Sequence, residues 1–198
     1  MLNKDFEIAK KVLDNSGVIA FPTETVMGLG VYYNDYEAYK LLNDVKERPE
    51  DKPYTLMVSS KDEISKYAYV DSRSKKIIER FMPGEITILL NSKESIPGYV
   101  THNTGVIGIR VPNHKLLLDF LSYIKTPLLV PSANKSGKKP AMSSDEVKNI
   151  FKDEVAFIFK GQALGGVPST IVDLTNKEVK IYREGNIKAS DILDAIKE

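Results

Sequence analysis

Short apolar runs recur along this chain, each bounded by a loop that carries proline, glycine or charge. VIAF (18–21) stops at Pro22, YTLMV (54–58) follows KERPEDKP, ITILL (86–90) follows MPGE, VIGIRV (106–111) ends at Pro112, and LLVP (128–131) runs into PSANKSG. Runs this short and aliphatic suit buried strands and are too short for the core-facing helices of a bundle. Between them the spacing changes to a helical period. Phe6, Ala9, Val12 and Leu13 mark an opening helix that ends near Asn15-Ser16-Gly17, and Ala38, Leu41, Leu42 and Val45 mark a second that begins near Asp35. Further helical patterns fill 62–68, 74–82 and 116–124, and Ser143 with Glu146 has the form of a capping box opening a helix through Phe151. VAFIF, TIVDL and VKIYR supply three more strands before a last helix around Asp191–Lys197. Strands and helices interleave, with strand-after-strand passages near the C-terminus. The expected fold is therefore α/β, a twisted mixed sheet with helical cover, forming one domain over residues 1–198.

Composition narrows the chemistry. The chain has no cysteine, which excludes disulfides, thiolate metal sites and a cysteine nucleophile, and its two histidines, His102 and His114, cannot make a histidine-rich metal site. No segment approaches the ~20 apolar residues of a membrane span, and the N-terminus mixes acids and bases through its apolar positions, so a cytoplasmic location is expected. A formal charge of +1 gives no global attraction to nucleic acid, although a local basic patch is compatible with it. Phosphate-binding signatures of the Walker A type are absent, GLG at 28–30 lacks the third glycine of a dinucleotide fingerprint, and no G-x-S-x-G elbow occurs.

The unusual loops all fall at strand ends, where open α/β sheets collect their ligands. In KERPEDKP, Lys46, Arg48 and Lys52 either keep a turn in water or, stiffened by Pro49 and Pro53, hold fixed positions over a polyphosphate. In PSANKSG, Ser132 and Asn134 form a capped turn or offer uncharged donors and acceptors to a base, ribose or phosphate. PTETVMGLG reads as a capped turn whose glycines take positive φ, or as a loop in which Thr25 faces a small polar ligand. Arg110 ends an apolar strand, where a buried guanidinium needs an anion: a ligand's carboxylate, or more commonly an internal Asp or Glu. Ser169 and Arg183 have the same two readings.

Taken in order, PTETVMGLG, KERPEDKP, MPGEITILL, GIRVPNH, PSANKSG, PSTIVD and YREG resemble the YrdC/TsaC family of threonylcarbamoyl-adenylate synthases, and the set runs from Phe21 to Gly185. The resemblance implies a YrdC-like (DHBP synthase-like) sheet lining a large concave cleft, in the short form without an extra C-terminal domain. It implies that L-threonine, bicarbonate or CO2, and ATP give L-threonylcarbamoyl-AMP and pyrophosphate, with Mg2+ arriving on the ATP phosphates. The product would pass to the proteins that modify the adenosine beside a tRNA anticodon, with tRNA itself a further candidate partner and a monomer or homodimer as the assembly. Carried over by position, Lys46 and Arg48 would be the catalytic charges and, with Lys52, would hold the ATP phosphates; Ser132 and Asn134 would line the nucleotide side and Arg183 would lie near the adenylate. Thr25, Arg110 and Ser169 would meet threonine, Arg110 through its carboxylate; Pro112 and His114 belong to the pattern without an assigned role. Met27 stands where the family commonly has tyrosine, and Met57 where some relatives have histidine. The competing readings are a carbamoyl-adenylate-forming carbamoyltransferase and a double-stranded RNA-binding or ribosome-maturation protein.

Overall fold

A computed structural model describes residues 4–48 and 53–197. In chain order the helices are α1 (Lys4–Asp14), α2 (Tyr36–Lys46), α3 (Ile64–Tyr67), α4 (Ser72–Phe81), α5 (Gly98–Thr101), α6 (Lys115–Ile124), α7 (Ser144–Phe151) and α8 (Ala189–Lys197). The strands are β1 (Ile19–Phe21), β2 (Gly28–Tyr32), β3 (Thr55–Met57), β4 (Ile86–Asn91), β5 (Val106–Arg110), β6 (Leu128–Val130), β7 (Phe157–Ile158), β8 (Thr170–Asp173) and β9 (Lys180–Arg183). Among the described residues these strands form one sheet in the order β7-β1-β2-β6-β3-β5-β4-β8-β9. The sheet is mixed: β1/β7, β3/β5 and β4/β8 run parallel, and the remaining neighbours run antiparallel.

The period of two along the strands sorts side chains into two apolar clusters. Ile19 and Phe21 of β1, with Leu128 and Val130 of β6, join Leu13, Phe120 and Phe159, whereas Ala20 and Leu129 join the larger cluster with Leu42, Ile77 and Ile192. Alternation of this kind puts α1 and α6 on one face of the sheet and α2, α4 and α8 on the other. The helix starts follow local chemistry. Asp35 caps α2 by accepting from the Ala38 amide at 3.0 Å, and Ser143 caps α7 by accepting from Glu146 N at 3.2 Å. The reciprocal half of a capping box is displaced at α7, because the Glu146 carboxylate accepts instead from the Met142 amide at 2.8 Å.

The glycines of PTETVMGLG behave differently from the turn reading. Residues 28–32 are β2, and Gly28 and Gly30 are absent from the positive-φ positions. Their role is steric: a Cβ on Gly30 would stand 2.6 Å from the Phe21 ring, and one on Gly28 would stand 3.0 Å from it. Glycine here clears space for an aromatic ring across the β1/β2 pair.

Candidate active site

The loop after β1, the C-terminal end of α2, the ends of β5, β6 and β9, and the start of β8 meet around one cavity of about 200 Å³. Thr25, Arg48, Arg110, Ser132, Ser169 and Arg183 line it, so six predicted side chains from distant parts of the sequence meet at one cavity. Met27 and Met57 also line it and are 0% and 4% exposed, giving an apolar surface beside the hydroxyls.

Arg110 is fixed on three sides. Its Nη2 lies 2.8 Å from Glu24 Oε1 and donates to Thr25 Oγ1 at 3.2 Å, and its Nε donates to the Gly84 carbonyl at 3.1 Å. The internal carboxylate therefore exists: Glu24, 86 positions away in sequence, is the structural partner of this guanidinium. Arg110 still lines the cavity, and its Nη1 carries no hydrogen bond among the described residues. Thr25 Oγ1 is 2.9 Å from the hydroxyl of Thr23, which donates to the Val26 carbonyl at 2.6 Å. Arg183 Nε donates to the Ser169 carbonyl at 2.9 Å and its Nη2 to Ser169 Oγ at 3.3 Å. Burial, and then the neighbouring Arg110, lower the pKa of Arg183 below the ordinary arginine value. Two guanidiniums converging on a cavity with hydroxyls between them make a receptor for an anion.

At the other end, Arg48 donates to the Pro53 carbonyl at 3.1 Å and stacks over the Tyr54 ring, 4.7 Å from its centroid. Lys52 lies outside the described residues. Lys46 and Asn134 are not brought to the cavity wall. The Lys46 ammonium, 1% exposed, donates to the carbonyls of Ser132 at 2.6 Å and Asn134 at 2.7 Å and to Asn134 Oδ1 at 3.3 Å. Asn134 in turn accepts from Ser132 Oγ at 2.6 Å and donates to the carbonyls of Lys135 and Lys138. These two residues build the loop that presents Ser132. Burial, followed by the charges of Arg48 and Lys135, pushes the pKa of Lys46 down to about 7.

Sequence reasoning gave no role to Glu24, Thr23 or Tyr54. The signal for Glu24 was the requirement of Arg110 for an anion, which a linear reading cannot assign to one acid among many. Among the described residues no group of three or more His, Asp or Glu side chains could hold a metal ion, and no helix is long and apolar enough to cross a membrane.

Residues 11–185 match the family model Sua5/YciO/YrdC, described as "Telomere recombination". The chain belongs to the Sua5/YciO/YrdC family. It is 30% identical over 186 residues to the threonylcarbamoyl-AMP synthase of Vibrio campbellii, covering 92% of this chain and 100% of that one. The threonylcarbamoyl-AMP synthase of Pyrococcus abyssi is 31% identical over 193 residues, but this chain spans only 57% of its length. A structure of P. abyssi Sua5 complexed with L-threonine superposes with a TM-score of 0.91 at 30% identity, covering 96% of this chain and 57% of that one. Escherichia coli YciO, named as an uncharacterized protein, is 28% identical over 187 residues, covering 93% of this chain and 89% of that one. Its crystal structure superposes with a TM-score of 0.88 at 26% identity, covering 94% of this chain and 92% of that one. The family fold is thus the mixed α/β sheet expected from the sequence, and Sua5/YciO/YrdC members carry both assigned and unassigned activities.

Proposed function

We propose that this chain is a threonylcarbamoyl-AMP synthase, condensing L-threonine, CO2 or bicarbonate, and ATP into L-threonylcarbamoyl-AMP with release of pyrophosphate. The observation that carries the reading is the pairing of Arg110 and Arg183 across one cavity, with the hydroxyls of Thr25 and Ser169 beside them. An amino acid's carboxylate fits between the guanidiniums, and hydroxyls around it suit a polar side chain better than an aliphatic one. The P. abyssi relative bound to L-threonine supports the same assignment.

Arg48 and Ser132 then face the nucleotide phosphates, and Tyr54, held under Arg48, keeps the guanidinium in place. The threonine amine adds to CO2 and loses a proton to solvent to form a carbamate, a carbamate oxygen attacks the α-phosphorus of ATP, and the bond from that phosphorus to the bridging oxygen breaks as pyrophosphate leaves. When ATP binds as its Mg2+ complex, the ion neutralises phosphate charge and comes with the substrate. No side chain at the cavity is placed as a general base, so the protein's contribution is orientation and charge neutralisation. Lys46 acts from behind the Ser132 loop, holding its shape. Adenylate handed to tRNA-modifying proteins is the consequent place of the product, as the first step of N6-threonylcarbamoyladenosine formation.

The test is pyrophosphate release from ATP, Mg2+ and bicarbonate with L-threonine, L-serine or no amino acid. Threonine-dependent release is expected, and Arg48→Ala is expected to slow it roughly a hundredfold, the equivalent of about 3 kcal/mol. Release that ignores the amino acid in folded protein would defeat the reading.

A further inference from the structure

Two buried polar atoms among the described residues have no hydrogen-bond partner, Glu24 Oε2 and His114 Nδ1. They are neighbours in the fold. The amide of Asn113, one residue before His114, donates to Glu24 Oε1 at 2.8 Å, and the Glu24 charge acts on the His114 ring. His114 occupies the N-cap position of α6, yet its side chain makes no capping bond, so the imidazole is free for another role. An orphaned carboxylate oxygen requires a donor, and an imidazole nitrogen supplies one if it carries the proton.

We infer that His114, neutral and protonated at Nδ1, is the donor that Glu24 Oε2 lacks, reached across one water molecule, and that this His114–Glu24–Arg110 chain orients Arg110 toward its ligand in the cavity. Glu24 and His114 are positioning residues here; neither lines the cavity. Each link has a distinct task. Arg110 approaches Glu24 at 2.8 Å, leaving Nη1 for an incoming carboxylate, and both side chains are nearly buried, at 5% and 8% exposure. A carboxylate held through only one oxygen is free to rotate, and the second bond removes that freedom. Burial lowers the His114 pKa, which favours the neutral ring the chain needs. Beyond Arg110, the Arg183 guanidinium lies close enough for the two charges to act on each other. Lys115 is exposed and paired with Asp119 at 2.9 Å, and the Glu85 carboxylate takes the Asn186 amide at 2.7 Å.

The link to ligand binding rests on the reading of Arg110 as the carboxylate's partner, so the first test avoids turnover. With only two histidines in the chain, 15N-histidine labelling of the full protein gives two ring spin systems, separated by His102→Gln. The expected result is a neutral His114 protonated at Nδ1 at pH 7. In Glu24→Gln the amide nitrogen takes the place of Oε2 and donates instead, so the His114 proton should move to Nε2. A wild-type ring already protonated at Nε2, or a tautomer indifferent to Glu24→Gln, overturns the inference. The second readout is the KM for threonine. His114→Ala should raise it about tenfold with kcat changed less than about twofold, and His114→Asn, whose amide lies near the Nδ1 position, should restore it. An equal fall of kcat in both variants would also overturn it. Absence of any threonine-dependent turnover in the wild type would strike the proposed activity and leave the tautomer test standing.

Discussion

Arg110 and Lys46 are both buried cations beside the same cavity, 4% and 1% exposed, and the fold satisfies them in opposite ways. Arg110 meets a carboxylate through Nη2 and keeps Nη1 unbonded among the described residues, and Arg183 adds a second guanidinium at the same cavity. Lys46 meets only dipoles, two backbone carbonyls and an amide oxygen. Its charge stays uncompensated, and burial with Arg48 and Lys135 nearby pushes the pKa to about 7. A buried base can therefore be a fixed recognition element or a charge whose proton depends on its surroundings. The choice is made by whether an acid lies within reach, which burial alone does not reveal.

The contrast can be tested in order of expected size. Arg110→Ala strands Glu24 as an unpaired buried carboxylate and should cost about 3–5 kcal/mol of stability, read as a fall in Tm on the order of 10 °C. The double variant Arg110→Met with Glu24→Leu should recover most of that stability and none of the turnover. A single variant that melts like wild type would mean that the pair is not what holds this wall. Arg183→Ala should instead leave the Tm within about 3 °C and lower kcat/KM for threonine roughly a hundredfold, because Arg183 serves the ligand and not an internal acid.

Lys46 should reveal itself through pH. Its folded pKa of about 7 lies below the ordinary 10.5, so between those values the unfolded chain binds a proton that the folded chain has released. Stability from this residue should therefore rise as pH increases across that window and level off on either side. Urea unfolding of Lys46→Met over the same range should lack that rise; an unchanged slope would show that Lys46 is not the titrating group. The smallest effect belongs to the exposed pair Lys115–Asp119, where Lys115→Ala should change stability by less than about 0.5 kcal/mol.

Most helices were legible because their apolar faces repeat at a local period, as in α1 with Ala9 and Leu13 and in α4 with Ile77 and Phe81. α5, a single turn at Gly98–Thr101, offered too little repeat to be seen. β2 was misread for a physical reason: its glycines have turn composition, but the Phe21 ring that requires them lies on the neighbouring strand. The site divides in the same manner. Arg48, Arg110, Ser132, Ser169 and Arg183 fall at strand and helix ends, where loop composition marks them, and the structure gathers them at one cavity. Lys46, the last residue of α2, and Asn134 stand in equally marked stretches of sequence but turn inward to each other. Glu24 was visible as a residue and not as a partner, since its role depends on an arginine brought from another strand.

The walls of the cavity are joined by their backbones. Ala133 N donates to the Met27 carbonyl at 2.7 Å, Met27 N to Ala141 at 3.0 Å, and Leu29 N to Pro131 at 3.0 Å, so the segment bearing Thr25 and the loop bearing Ser132 are laced into one piece. An occupant that orders either segment pre-pays part of the ordering that the other would need. Affinity for an amino acid on one side and for a nucleotide on the other should then rise together, and linkage requires the factor to be the same in both directions.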